Sequence, residues 1–125
     1  TRIGLHPDWG GAYFLPRLIG SAVAAELIFT GGMINARRAE RFGLVNKVVP
    51  ADELESAVKG LAGQIAGGPP DVIADSKRTL RRSLAADLDE ILAMEREAQI
   101  KAFESDDFEE GVRAFLDKRA PRFGR

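Results

Sequence analysis

Apolar residues recur along most of the chain at the three- and four-residue spacing of helices that bury one face. Glycine and proline separate these runs, and residues that can cap a helix precede several of them. The chain is therefore predicted to be mostly α-helical. The pattern places helices at 10–19, 22–29, 36–42, 52–66, 71–84, 87–102 and 106–119.

Side chains that can accept hydrogen bonds from free N–H groups predict where these helices begin. Ser21 and Asn35 are the expected caps of the second and third helices. Asp52, Asp87 and Asp106 are each followed three residues later by glutamate, the spacing of a capping box. Pro16 is expected in the first turn of its helix or at a break, because proline has no N–H to donate.

One run has the character of a strand. Residues 44–49, LVNKVV, are rich in β-branched side chains and stop at Pro50. Hinges are predicted at Gly31–Gly32 and at Gly67–Pro70, where glycine and proline interrupt the helices.

Composition narrows the possible functions only slightly. Apolar residues make up 45% and charged residues 30% of the 125, which is ordinary for a soluble globular protein. A net charge of −1 favours neither nucleic acid nor an anionic membrane as a partner. The absence of cysteine is compatible with a reducing compartment, and we expect a cytoplasmic protein. Because the chain lacks an initiator methionine, we expect it to begin inside a longer protein.

Four runs, in this order, resemble the crotonase superfamily, the enoyl-CoA hydratase/isomerase family. The match covers essentially the whole chain. The runs are GLHPDWGGAYFLPRLIG at 4–20, AELIFTG at 25–31, ARRAERFGLVNKVVP at 36–50 and FESDDFEEGVRAFLDKRAPRF at 103–123.

The resemblance implies the C-terminal helical half of an α/β crotonase fold, the ββα spiral shared with ClpP. Residues 1–50 would be the end of the core, with the active-site loop, and residues 51–125 a helical trimerisation domain. The missing half would supply the oxyanion hole and one catalytic glutamate, and a second glutamate would fall just before Thr1. This chain alone is then expected to be inactive.

The chemistry expected from the resemblance depends on Asp8. Hydratases with this pattern carry glycine between the proline and the double glycine, whereas isomerases and aryl-CoA dehalogenases place a carboxylate at or near this point. The resemblance thus implies that Asp8 is catalytic, transferring a proton or attacking as a nucleophile. A second interpretation is that Asp8 caps the helix that begins at Gly10. The two roles are compatible.

The residues around Asp8 are expected to shape the substrate site. Trp9 would form an apolar wall of the acyl pocket and raise the proton affinity of Asp8 by desolvation. Gly10 starts a double glycine that lacks the lysine and the spacing of a P-loop, so either close backbone packing or a tight loop lining the acyl pocket is expected. His6 has no metal-ligand pattern around it, so we expect no metal site.

Lys118 is the expected contact to coenzyme A. In the family, the lysine of the matching segment approaches the nucleotide end of CoA, often from a neighbouring subunit. The alternative is a cation that stabilises the C-terminus of a helix. The family often has an aromatic residue near Gln99 that holds the adenine, and glutamine at this position departs from that pattern. Basic residues at 77, 78, 81 and 82 indicate a solvated helix face or a further phosphate contact.

Two functions are compatible with these observations. The first is an acyl-CoA thioester enzyme, a hydratase or isomerase, that needs no cofactor beyond the CoA of its substrate and forms a homotrimer or hexamer. The acidic residue in the loop favours isomerase-like chemistry slightly. The second is a protein that keeps the crotonase fold for assembly or binding without catalysis, because a fold does not fix a function.

Overall fold

Helices form the regular structure of residues 1–124, the part of the chain that the computed structural model describes. The predicted mostly helical character is confirmed. A single 3-10 turn at Ala51–Glu53 precedes the fourth helix. The helices are α1 (Gly11–Ile19), α2 (Ser21–Thr30), α3 (Ala36–Phe42), α4 (Leu54–Ala66), α5 (Pro70–Ser83), α6 (Leu88–Phe103) and α7 (Asp106–Leu116).

The chain forms two compact units, one from Thr1 to Leu54 and one from Glu55 onward. In the first unit α1 packs on α2. Its buried apolar residues are Ile19, Ala24 and Ala39, one from each helix. Two of the three are alanines, whose small side chains let a neighbouring backbone approach closely.

In the second unit α5 packs on α6, and α6 packs on α7. Ala114 of α7 is its buried apolar residue among the described positions. Asp75 of α5 is buried as well, and among residues 1–124 it is the one charged side chain that is buried. Its carboxylate lies 2.9 Å from an Arg78 Nη2 and 3.3 Å from Lys101 Nζ, so a buried charge is paired with cations on two helices.

The caps predicted at Asn35 and Asp87 are confirmed, those at Ser21 and Asp106 are wrong, and Asp52 lies inside the 3-10 turn Ala51–Glu53 rather than at a helix N-cap. Asn35 accepts a hydrogen bond from Arg38 N–H and Asp87 accepts one from Glu90 N–H, both at 2.9 Å. Ser105, rather than Asp106, caps α7 by accepting from Phe108 N–H. Ser21 is the first residue of α2, where Gly20 occupies the N-cap without a side-chain bond.

Pro16 lies at the sixth position of α1, beyond the first turn, and the helix continues to Ile19. The expectation of a first-turn or break position is therefore wrong. A nine-residue helix tolerates the loss of one internal N–H donor when tertiary packing holds its end, and Ile19 is buried at that end.

The strand predicted at 44–49 does not form, and the described residues contain no strand. A strand needs a neighbouring backbone to complete its hydrogen-bond ladder. Here Val48 N–H donates instead to Glu40 Oε1 of α3 at 2.8 Å. The β-branched residues give this segment a β propensity, but no partner strand forms among residues 1–124.

Large apolar side chains remain exposed in both units. The apolar stripe of α4 is an example, because its four members are all more than half exposed, namely Leu54, Val58, Leu61 and Ile65. Contiguous exposed apolar surface of this kind marks an interaction surface in soluble proteins. Within residues 1–124 these apolar side chains therefore stay largely uncovered.

Candidate functional site

The opening loop is tied to α2 by its first residue. Thr1 Oγ1 donates to the Ile28 carbonyl at 2.6 Å, and Gly4 N–H donates to the Thr1 carbonyl at 2.9 Å. His6 Nδ1 lies 2.6 Å from the Pro7 carbonyl oxygen. Because a carbonyl only accepts, Nδ1 carries the proton in this contact. The loop that leads to Asp8 is therefore held by local hydrogen bonds.

Asp8 is exposed, and its side chain does not cap α1. The N-cap of α1 is Gly10, which makes no side-chain hydrogen bond. The backbone carbonyl of Asp8 accepts from Gly11 N–H at 2.8 Å, so the main chain satisfies the donor that the carboxylate was expected to take. The cap interpretation is wrong for this structure. The catalytic interpretation stays a prediction.

Trp9 and Gly10 are two consecutive residues in the left-handed region, with φ of 55° and 81°. For glycine this conformation costs little, and a Cβ at position 10 would lie 2.7 Å from the Phe14 ring. For tryptophan it is strained. The Trp9 side chain is 96% exposed, so within this chain it covers neither Asp8 nor an acyl pocket. Its role as a pocket wall stays a prediction.

Lys118 lies two residues beyond α7 and is also in the left-handed region, with φ of 53°. Lys118 N–H donates to the Phe115 carbonyl at 3.2 Å, and Arg119 N–H donates to the Ala114 carbonyl at 3.0 Å. These two bonds form a Schellman motif, in which this position is usually glycine. Lys118 therefore occupies a turn whose backbone disfavours it, and its side chain is exposed.

The neighbouring cation is used inside the chain. Arg119 Nη1 and Nη2 donate to the two carboxylate oxygens of Glu110 at 2.6 and 2.9 Å. The hydrogen bond with Glu110 raises the pKa of Arg119 above its ordinary value, with a smaller contribution from Asp117. Sequence reasoning missed this pair. Its signal was available, because Glu110 on α7 and Arg119 after the helix belong to one charged run.

Two of the basic residues of α5 are likewise paired within the chain. Arg78 pairs with the buried Asp75, and Arg82 forms a two-pronged pair with Glu90 at the start of α6. Hydrogen bonding to Glu90 raises the pKa of Arg82, and the same bond lowers the pKa of Glu90. Arg82 therefore joins α5 to α6, and Arg78 forms its pair within α5. Gln99, on α6, lines an apolar groove with Val72 and Ala102.

The structure places Asp8, Trp9 and Gly10 in the first unit and Lys118 in the second. Among residues 1–124, no group of three or more His, Cys, Asp or Glu side chains is arranged to hold a metal ion. Within the same residues, no helix has the length and apolar character needed to cross a membrane. The candidate site residues are therefore divided between the two units, and Asp8, Gly10 and Lys118 each make main-chain hydrogen bonds within their own segment.

Comparison with known proteins gives the family. The model of the family described as enoyl-CoA hydratase/isomerase matches residues 1–125. The chain is 39% identical to a crotonyl-CoA hydratase of Syntrophomonas wolfei over 97% of its own length and 46% of that protein. It is 36% identical to a 1,2-epoxyphenylacetyl-CoA isomerase of Escherichia coli K12 over 98% of its length and 47% of that protein.

Solved structures agree with the sequence comparison. An enoyl-CoA hydratase from Bacillus anthracis superposes with a TM-score of 0.93 at 37% identity, and the match covers 98% of this chain and 48% of that one. The chain therefore spans about half the length of the relatives that it matches. A family match over every residue, with the same fold at this identity, is decisive, and the chain belongs to the enoyl-CoA hydratase/isomerase family of crotonase-fold proteins.

Proposed function

We propose that this chain is the C-terminal half of an acyl-CoA thioester enzyme of the enoyl-CoA hydratase/isomerase type. The observation that carries the proposal is the family match over residues 1–125. The chain spans about half the length of its relatives, so the proposed active site needs residues from outside these 125.

In the proposed mechanism, the thioester passes through an enolate. Its negatively charged oxygen accepts hydrogen bonds from backbone N–H groups of the other half of the enzyme. Preorganised donors of this kind stabilise charge where it develops in the transition state. Asp8 transfers the proton at carbon, because its carboxylate is exposed and is not consumed as a helix cap. Trp9 and Gly10 line the acyl chain, and Lys118 pairs with a CoA phosphate.

Hydration and isomerisation remain two versions of this function. The relatives include a crotonyl-CoA hydratase and a 1,2-epoxyphenylacetyl-CoA isomerase, so similarity alone does not separate them. Asp8 favours isomerase-like chemistry, because a carboxylate beside the acyl carbons can shuttle a proton between two of them without adding water. No metal or redox cofactor enters this proposal.

We also propose a homotrimer, or a pair of trimers, located in the cytoplasm. Support for assembly comes from the last two helices, whose aromatic side chains are exposed. Phe115 is 82% exposed. Phe103 and Phe108 pack edge-to-face with ring centroids 5.0 Å apart and are still 54% and 41% exposed. Soluble monomers rarely leave such a patch uncovered. The cysteine-free sequence suits a reducing compartment.

The experiment compares the full-length protein with this 125-residue chain. Each is purified and supplied with crotonyl-CoA and with a 3-enoyl-CoA, and loss or gain of the conjugated thioester is followed by absorbance. We expect turnover by the full-length protein and none by the chain alone. A well-folded full-length protein that turns over neither thioester would overturn the proposal and favour a binding or assembly role. Turnover by the chain alone would show that the essential groups lie within it.

A further inference from the structure

The residues after α7 fold back along that helix. Arg122 N–H donates to Glu110 Oε1 and Gly124 N–H donates to Asp107 Oδ1, both at 2.8 Å. Asp107 and Glu110 are three residues apart, so they lie on one face of α7. We name residues 117–124 the C-terminal strap.

Glu110 is the main anchor of the strap. Its carboxylate accepts two bonds from the Arg119 guanidinium and one from the Arg122 backbone. A fork-to-fork pair of this kind fixes orientation as well as distance. The Glu110 side chain is 22% exposed and that of Arg119 is 39% exposed, so water competes less with this pair than with an open surface pair.

The far end of the strap is held by packing. A Cβ at Gly111 would lie 3.6 Å from the Phe123 ring, so the ring rests on α7 where the helix has no side chain. A Cβ at Gly124 would lie 3.6 Å from Pro70, the first residue of α5. The strap is thus fixed at Arg119, at Arg122 and at its end.

Lys118 lies between the end of α7 and the first of these anchors. Its backbone is in the left-handed region that glycine prefers, and no ion pair of Lys118 forms within residues 1–124. A strained non-glycine residue persists only where its surroundings over-determine it. The surroundings here are the Schellman bonds on one side and the Arg119–Glu110 pair on the other.

We call the two-bond ion pair between Glu110 and Arg119 the clasp. We propose that Glu110, through this clasp, is the positioning residue that holds Lys118 ready for the anionic phosphates of coenzyme A. The inference deepens the proposed function and rests on it. Arg119 is then a structural cation rather than a phosphate ligand, although it is adjacent to Lys118 and has the same charge. Because the clasp already orders the strap, Lys118 can bind a phosphate without the cost of ordering the strap at that moment. Such a cost would weaken the affinity for CoA.

The test measures CoA binding to the full-length protein by calorimetry. Glu110→Ala opens the clasp, and Arg119→Gln opens it while leaving Glu110 able to accept from Arg122. Glu109→Ala is the matched control, because it removes an exposed carboxylate from the same helix. Each variant is also made in a Lys118→Ala background. Hydrogen exchange of residues 119–124 reports whether the strap has been released, independently of ligand.

We expect Glu110→Ala and Arg119→Gln to weaken CoA binding at least about fivefold and to speed exchange in the strap, with Glu109→Ala unchanged. In the Lys118→Ala background, opening the clasp should cost little more, because the group that it positions is gone. Effects that add fully in the double variant would overturn the positioning role. So would a released strap with unchanged CoA affinity. Failure of the wild type to bind CoA would instead overturn the proposed function itself.

Discussion

Replacing Lys118 with glycine should stabilise the protein while it weakens CoA binding. Lys118 has φ of 53°, a conformation that costs an L-residue about 1–2 kcal/mol and glycine almost nothing. Glycine also gains freedom in the unfolded chain, which offsets about 0.4–1 kcal/mol. From the middle of each range the net gain is about 0.8 kcal/mol, or roughly 2–3 °C in Tm for a chain twice this length.

The assay compares thermal unfolding and CoA affinity in Lys118→Gly and Lys118→Ala full-length proteins at one concentration. Both variants lose the cation, but alanine keeps the backbone strain, so only glycine should raise Tm. Gly43 supplies the reverse control. It occupies the same Schellman position after α3, with φ of 79°, and a Cβ there would meet only the Leu18 carbonyl at 3.8 Å. Gly43→Ala should therefore lower Tm.

The reasoning is refuted if Lys118→Gly unfolds at or below the temperature of Lys118→Ala while Gly43→Ala lowers Tm as expected. That result would mean that the strain at position 118 is relieved elsewhere in the assembled protein. Equal CoA affinity of wild type and both variants would separately refute the phosphate contact.

Three further predictions concern other parts of the chain. Asp8→Asn should lower turnover by the full-length enzyme about 100-fold if the carboxylate transfers a proton, and unchanged kcat would disprove that role. Asp75→Ala should destabilise the protein by about 1–2 kcal/mol in urea unfolding, because Lys101 and Arg78 lose their shared partner. An unaltered urea midpoint would show that the two ion pairs do not contribute to stability. Truncation after Ala102 should dissociate the oligomer in light scattering, and a truncated protein that stays trimeric would contradict the proposed interface.

The helices could be read from the sequence because their signals are local. Asn35 and Asp87 cap their helices through N–H groups three residues ahead, so the spacing alone identifies the helix start. Glycine at 31 and 43 ends α2 and α3 in the left-handed conformation that it adopts most easily. Ser105 took the place predicted for Asp106 because adjacent residues compete for one cap and only the backbone turn decides between them.

The strand at 44–49 could not be judged from its own residues. β propensity describes side chains that suit a pleated surface, but a strand exists only when another backbone accepts its hydrogen bonds. In this chain the Glu40 carboxylate takes the Val48 N–H, so the segment stays irregular. The same limit applies to the apolar stripe of α4, which its periodicity makes evident but which stays more than half exposed among the described residues.

The sequence by itself determined the family, the succession of helices and the identity of the candidate residues Asp8 and Lys118, because motif order and capping are properties of neighbouring positions. Only the tertiary structure decided how those residues are held. It showed that the Asp8 main chain rather than its carboxylate meets α1, and that Glu110 clasps Arg119 rather than leaving two cations for a ligand. Both results depend on distances between groups that backbone geometry brings together, and residue spacing along the chain does not encode those distances.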